Sequence, residues 1–448
     1  MSMMTLRHSV VVSFLCLVAG AASAAPARPV APRRAAAPAA ARPAAADEGG
    51  IRILPRIGIA ATMDSNIFLT SANPTSSPYE TQSAWIAEPS VALGIRARGR
   101  KSLLQAGYEL TPRIYSHAQN ANNAVHQTAA LAAQIEYMPD GLIGLDDQFR
   151  VTTDPATSEE TRRALRNQND AGFMFDLPVG SKFYAGIRVT DTIHHYRQSS
   201  TDFSRSLSDL FDRNELAAAL RLGLRPTPKT KAYGFYRNVS VNFKSASSYG
   251  DSTGSHVGAG IEGEITSRLT GIIEVNSMAR SYKQAVAGEA APTAAAGSTV
   301  TESSDYTTGG FTVSLKWEGP TGWSALVSGG RGFQESLFNR YSIQTGGTVA
   351  VTKELDKRFS VQVVGSYLAD AYPNARSVAI QDPTAPGGTS LKYARRADGN
   401  LSVGLNLSYH LIERQTLKLG YLMRQRSSNF SVYKYSDNQI TLSADYLL

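Results

Sequence analysis

From Ile51 to Leu448 apolar and polar residues alternate in short runs, and the alternation continues to the last residue. Residues 103–115 show it clearly. Leu104, Ala106, Tyr108, Leu110, Pro112 and Ile114 fall on one side, and Gln105, Gly107, Glu109, Thr111, Arg113 and Tyr115 on the other. At the end of the chain Ile440, Leu442, Ala444, Tyr446 and Leu448 oppose Gln439, Thr441, Ser443 and Asp445. A period of two is the period of a β-strand, whose successive side chains point to opposite faces. Each run therefore carries one apolar face that must be covered. No stretch approaches the roughly 18 consecutive apolar residues of a transmembrane helix.

The N-terminus indicates the compartment. Arg7 supplies a positive n-region, Ser9 to Gly20 a short apolar h-region, and Ala22-Ser23-Ala24 a small-x-small cleavage site. This reads as a secretory signal over residues 1–24. The one cysteine, Cys16, lies inside it, and Ser13-Phe14-Leu15 lacks the small residue a lipobox requires. The mature chain then has no thiol for a disulfide or a zinc site. Residues 25–50 are Ala-, Pro- and Arg-rich, and their repeated prolines block helix propagation. They read as a disordered periplasmic tether; a docking strip for peptidoglycan or a periplasmic partner is the alternative. A secreted chain with many amphipathic strands and no apolar helix can bury its apolar faces against lipid by closing into a barrel.

The runs begin near residues 51, 85, 103, 125, 142, 168, 182, 214, 230, 255, 269, 305, 322, 340, 359, 394, 416 and 437. Short connections are expected at Arg98–Lys101, Met138–Gly141, Gly180–Ser181, Thr227–Lys229, Thr266–Arg268, Glu318–Thr321, Lys353–Lys357 and Leu411–Arg414. Longer polar loops alternate with them: Ser71–Ala84, Asp154–Asn167, Gln198–Phe211, Gln284–Ser303 and Pro373–Tyr393. Short turns on one side and long loops on the other characterise an outer-membrane barrel with both termini periplasmic. The expected fold is all-β, a transmembrane antiparallel up-and-down β-barrel over 51–448. About 18 strands are expected, or 16 or 14 if a bent strand has been split.

Trp85, Tyr137, Tyr233, Phe243, Trp317, Trp323, Tyr341, Phe359, Tyr409 and Tyr421 fall on apolar positions, mostly near strand ends. There they would form the aromatic girdles of a membrane barrel. A soluble sandwich would bury its aromatics mid-strand instead. The ending Tyr446-Leu447-Leu448 resembles the signal read by barrel-insertion machinery, with Leu where Phe is usual.

The formal charge is +8, but the basic residues are scattered singly, which argues against nucleic acid. Charges opposite the apolar stripe would line a lumen, because an Arg or Lys facing lipid at midplane costs about 2–4 kcal/mol. The candidate lumen residues are Glu109, Arg113, Arg188, Arg221, Arg225, Glu262, Lys316 and Arg424. Both signs occur, so no strong ion filter is evident, and Arg221→Leu is expected to leave folding nearly unchanged.

Other motifs read as structural. Gly258, Gly260 and Gly263 match GxGxxG, but they sit within one strand pattern, without the following helix a dinucleotide site needs. His194 and His195 are neighbours on a strand and point to opposite faces; His117, His126, His256 and His410 stand alone. No cofactor, metal or catalytic residue is expected. Residues 161–166 and Leu207–Leu216 read as loop, with a short constriction helix as the alternative.

Met63-Asp64-Ser65-Asn66-Ile67-Phe68 follows the first strand. It resembles the aromatic-Asp-Ser-Asn-Ile/Val-Phe signature of the β-barrel porin 2 family, with Met63 in the aromatic's place. Ala87-Glu88-Pro89-Ser90-Val91 also fits that family. The resemblance would span about 51–448. It implies an outer-membrane porin, often linked to exopolysaccharide export. The expected function is an outer-membrane porin or export channel. The expected partners are outer-membrane lipids and lipopolysaccharide, the insertion machinery and polysaccharide-export components. A structural or adhesion barrel with an occluded lumen and a barrel-embedded hydrolase are the alternatives.

Overall fold

The computed structural model describes residues 50–70, 81–117, 123–154, 165–197, 208, 211–245, 251–283, 287–288, 300–301, 305–336, 341–381, 389–430 and 433–448. The signal, nearly all of the Ala/Pro/Arg segment, and most of the expected long loops lie outside them. The barrel strands are β1 Gly50–Asp64, β2 Ala84–Arg98, β3 Ser102–Tyr115, β4 Ala124–Met138, β5 Gly141–Thr152 and β6 Arg166–Val179. Next come β7 Phe183–Tyr196, β8 Arg213–Thr227, β9 Thr230–Phe243, β10 Ser252–Thr266, β11 Leu269–Tyr282 and β12 Asp305–Glu318. The last six are β13 Trp323–Glu335, β14 Tyr341–Glu354, β15 Phe359–Gln381, β16 Thr389–Ile412, β17 Gln415–Ser428 and β18 Tyr435–Leu447. These 18 strands form one closed antiparallel barrel, each paired with its neighbour in sequence. β18 pairs back on β1, from Arg56↔Leu447 to Asp64↔Gln439.

The eight short connections have two to four residues and all lie at one end. Their chemistry suits tight turns. Asp140 (φ 63°) and Gly180 (φ 65°) take the left-handed conformation that Asp tolerates and Gly adopts freely. Asp356 accepts the backbone N–H groups of Arg358 at 2.6 Å and Phe359 at 2.7 Å. These bonds hold its carboxyl below the usual carboxylate range.

The outer face is apolar. Leu104, Tyr108, Leu220, Leu222, Leu405, Leu419 and Leu442 are 40–60% exposed. Leu110 and Leu407 share the face with lower exposure. Trp85, Trp317, Trp323, Tyr409 and Tyr421 stand exposed on the same surface. Such a continuous apolar exterior suits hydrocarbon rather than water.

The inner face carries the polar and charged residues. It is exposed near the short turns and buried near the long connections. Along β1 the inward series runs from exposed Arg52 and Leu54 to buried Ala60, Thr62 and Asp64. Three of the expected girdle aromatics belong inside. Tyr233 is 4% exposed and packs on the inner wall with Tyr184 and Phe235, and Tyr341 is 2% exposed. Phe243 shares the inward alternation of Tyr233 and Val241. An aromatic with a polar handle serves either a membrane interface or a buried polar network. Alternation near a strand end does not separate the two.

Three loop expectations change. Pro373–Tyr393 was expected as a loop. Instead β15 and β16 continue pairing beyond the barrel, with an irregularity after Ala371 and the ladder resuming at Ala375↔Arg395. Arg213–Leu216 begins β8 rather than belonging to a loop or helix, and of the described residues just before it Ser208 and Phe211 are helical. Arg166, the end of the second loop segment, is the first residue of β6. GxGxxG lies inside β10, as its strand pattern requires.

Candidate functional site: the lumen and its constriction

The candidate lumen residues all lie on the inward face, and each has an ionic partner. Glu109 meets Arg56 at 3.0 Å near the short-turn half, and both keep about a quarter of their side-chain surface exposed. Arg113 binds Glu88 at 2.8 Å and Asp154 at 2.6 Å. Arg188 binds Asp176 at 2.7 Å. Arg221 binds Glu262 at 2.8 Å, and Arg424 binds Asp437 at 2.5 Å. Lys316 pairs with Glu318, 2.7 Å away two residues along β12, close to the short-turn rim. Arg225 is also at that rim, bound to Asp140 of the turn between β4 and β5 at 2.8 Å.

Several of these belong to one network on the wall of β6–β11. Arg221 also reaches Glu274 at 2.8 Å. Glu274 in turn accepts from the Tyr233 hydroxyl at 2.8 Å and Arg237 at 3.2 Å. The Arg221 guanidinium lies 4.7 Å from the centre of the Tyr233 ring. Below it Lys231 joins Asp176 at 2.6 Å. The network depends on a glycine of the GxGxxG run. A Cβ on Gly260 would stand 2.9 Å from Glu274 Cγ and 3.0 Å from Tyr233 Cζ. The absent side chain is the space into which Tyr233 and Glu274 fit.

Near the long connections the first barrel strand ends in a folded turn. Asp64 accepts the Asn66 N–H at 2.9 Å. The Asn66 amide donates to Thr70 O at 2.9 Å and to Ser436 O of the last strand at 3.1 Å. Ile67, 1% exposed, packs on Ala84, Ile86 and Tyr115 with Phe68 beside it. The Asp-Ser-Asn-Ile-Phe segment thus fastens the seam where β1 meets β18. Asp437 closes it from the other side, binding Arg424 and accepting from Gln439 at 3.2 Å.

β13, which the period-two reading treats as ordinary wall, leaves its neighbour β12 near the long connections. The β12–β13 ladder stops at Phe311↔Arg331. β12 continues to Asp305 with β11, while β13 and β14 continue together to Glu335↔Tyr341. At the split Arg331 Nε donates to the carbonyl of Gly309 at 3.1 Å. Beyond it the tip of the hairpin turns inward, while β14 stays paired with β15 as far as Ile343↔Ala371. Tyr341 stacks 5.9 Å from Tyr282 of β11 and 4.5 Å from Tyr306 of β12, with Phe333 at 5.2 Å. Glu335 forms an ion pair with Arg280 of β11. It also interacts electrostatically with Arg213 and Glu215 of β8. A wall strand five positions away could not do this from its own place in the ring. Glycines at 309, 310, 329, 330, 332, 346 and 347 surround the split. Their clustering is the sequence signal for a bend here, since Gly weakens regular pairing and permits close approach.

The histidines are dispersed. His194, 1% exposed, faces inward beside Glu215 at 3.4 Å. His195 faces the other way and binds Asp212 at 2.5 Å. His126 meets Thr153, and His410 meets Thr416. Among the described residues no group of three or more His, Cys, Asp or Glu could hold a metal ion.

No family model matches the chain, and no curated protein matches it. Solved structures do. The siderophore receptor PirA from Acinetobacter baumannii is 10% identical, with TM-score 0.42, over 89% of this chain and 80% of that one. OccAB3 from Acinetobacter baumannii is 8% identical, with TM-score 0.42, over 88% and 99%. OpdK from Pseudomonas aeruginosa, solved with vanillate, is 10% identical, with TM-score 0.41, over 88% and 98%. Likenesses this distant carry no inference about what passes through the lumen.

Proposed function

We propose that the chain is an outer-membrane channel with a hydrated, mixed-charge lumen narrowed by the β13–β14 hairpin. One observation carries the reading: 18 strands close with charges inside and an apolar exterior. At a strand spacing of 4.8 Å and a tilt of about 40°, such a ring is about 35 Å across. Side chains from the wall alone do not fill that width, and barrels of 16–18 strands leave an aqueous passage. The long connections would face outside and the short turns the periplasm.

The purified protein in a planar bilayer should carry a stepwise ion current with weak charge selectivity, because the wall charges are mostly paired. Absence of current from folded, inserted protein would sink the channel reading. It would favour an occluded structural barrel, a reading supported by the full burial of Tyr115, Gln344, Asp370 and Arg426 at the outer end.

A finer proposal rests on the Met63–Phe68 resemblance: passage of an exopolysaccharide, in partnership with export components and lipopolysaccharide. Interspersed carboxylates, guanidinium groups and amides offer donors and acceptors to a polyol. Liposome swelling with neutral oligosaccharides would test it, and swelling only with salts would count against it.

A further inference from the structure

Inward arginines near the long connections are matched by carboxylates. Arg113 has Glu88 and Asp154, Arg213 has Glu215, Arg280 has Glu335, and Arg424 has Asp437. Arg396 and Arg426 share Asp398. Arg331, without a carboxylate among the described residues, satisfies its guanidinium on the Gly309 carbonyl and on the hydroxyls of Thr308 and Thr345. Such matching is expected, because a buried cation must recover in the protein the hydrogen bonds and counter-charge it had in water.

Arg166 departs from the pattern. It is 3% exposed, on the inward face of β6 with Gln168 and Asp170. Its Nε and Nη1 are buried without a hydrogen-bond partner. No carboxylate among the described residues is paired with it. On the adjacent strand Arg150 binds Asp170, but its own Nε is also buried and unpartnered. Asp170 is already committed, since it also accepts from Gln168 at 2.7 Å and from Thr192 at 3.0 Å. Arg150 and Arg166 are close enough to repel one another. Among the described residues the one carboxylate beside these two guanidinium groups is bound by Arg150, and three buried N–H donor sites have no partner.

We propose that Arg166, with Arg150 beside it, forms an oxyanion-binding step in the outer half of the lumen, taking a carboxylate or phosphate group of a solute. Guanidinium groups suit such oxyanions by planar geometry and permanent charge. The position fits a solute path. β7, with inward His194 and Tyr196, lies next to β6. β8 follows, with the Arg213–Glu215 pair that the inward hairpin faces. The role in passage rests on the channel reading; the binding itself does not.

The test is equilibrium dialysis of the folded, full-length barrel in detergent at low ionic strength. The probes are labelled inorganic phosphate and, separately, labelled gluconate. The unaltered protein should bind at least one of them saturably. Arg166→Gln should weaken that binding roughly tenfold or more, the scale of a charge-assisted hydrogen bond. Arg166→Lys, which keeps the charge and loses the planar fork, should fall between them. Lys357→Gln, on an exposed short turn, should bind as the unaltered protein does. If the Gln variant does not fold, the Lys variant decides. No saturable binding of either probe by the unaltered protein, or undiminished binding by the Arg166 variants, overturns the proposal. The same proteins in bilayers separate the two readings. A barrel that binds through Arg166 but carries no current keeps the site and loses the channel. A conducting barrel that binds neither probe does the reverse.

Discussion

Arg221 joins two carboxylates and a tyrosine ring from a single position on β8. That overturns the expectation that its removal would leave folding nearly unchanged. In a wide, hydrated lumen a lone arginine could be exchanged freely. Here Arg221 is 7% exposed and Glu274 2%, so truncation strands a buried carboxylate. Arg221→Met should destabilise the barrel by about 3–5 kcal/mol, the usual cost of breaking a buried pair from one side. Adding Glu262→Gln and Glu274→Gln should recover much of the loss, because neutral amides need no counter-charge. Urea unfolding followed by heat-modifiable migration would measure both. Equal stability of Arg221→Met and the unaltered protein would show that water reaches Glu274. Sequence placed Arg221 on the inward face through its lipid-facing neighbours Leu220 and Leu222. It could not show the partners, because Glu262 and Glu274 come from strands two and three positions round the ring.

At the scale of elements, alternation located nearly every strand and every short turn. Both signals are local: period-two patterning for the strands, and Gly, Asp or Pro-Thr-Gly for the turns. What alternation could not show is where a strand leaves the ring. β13 keeps its period through the split at Arg331, because a strand turned inward still has two faces. Tyr341 was therefore read as an interface aromatic, although its ring is buried against Tyr282 and Tyr306. The Asp64–Phe68 turn was legible only as a motif. Its work depends on Ser436 and Asp437, more than 360 residues further along the chain. Asn66 is 1% exposed, and its amide makes the bonds to Thr70 and Ser436. Asn66→Ala should lose about 1–3 kcal/mol by leaving those buried groups unsatisfied. The loss should be concentrated at the seam, as faster backbone hydrogen exchange at Ser65 and Thr70 than at mid-strand sites. Uniform exchange across the barrel would mean that the turn is ornamental to closure.

For the whole molecule, the question is what sets the width of the passage. The ring is about 35 Å across, yet its outer half is lined by buried side chains. The tip of the β13–β14 hairpin packs against β11 and β12. Tyr341 and Phe333 pack against Tyr282 and Tyr306, and Glu335 pairs with Arg280. Removing both aromatic rings should forfeit about 3–5 kcal/mol for each well-packed ring. Phe333→Ala with Tyr341→Ala should therefore free the hairpin while the ladder below Arg331 keeps the ring closed. In planar bilayers the double variant should show higher single-channel conductance and more current noise than the unaltered protein, at unchanged heat-modifiable migration. Arg280→Met, which removes the partner of Glu335, should add to the effect in the triple variant. Unchanged conductance in the triple variant would mean that the hairpin does not set the width, and the narrowest point would then lie elsewhere along the lumen.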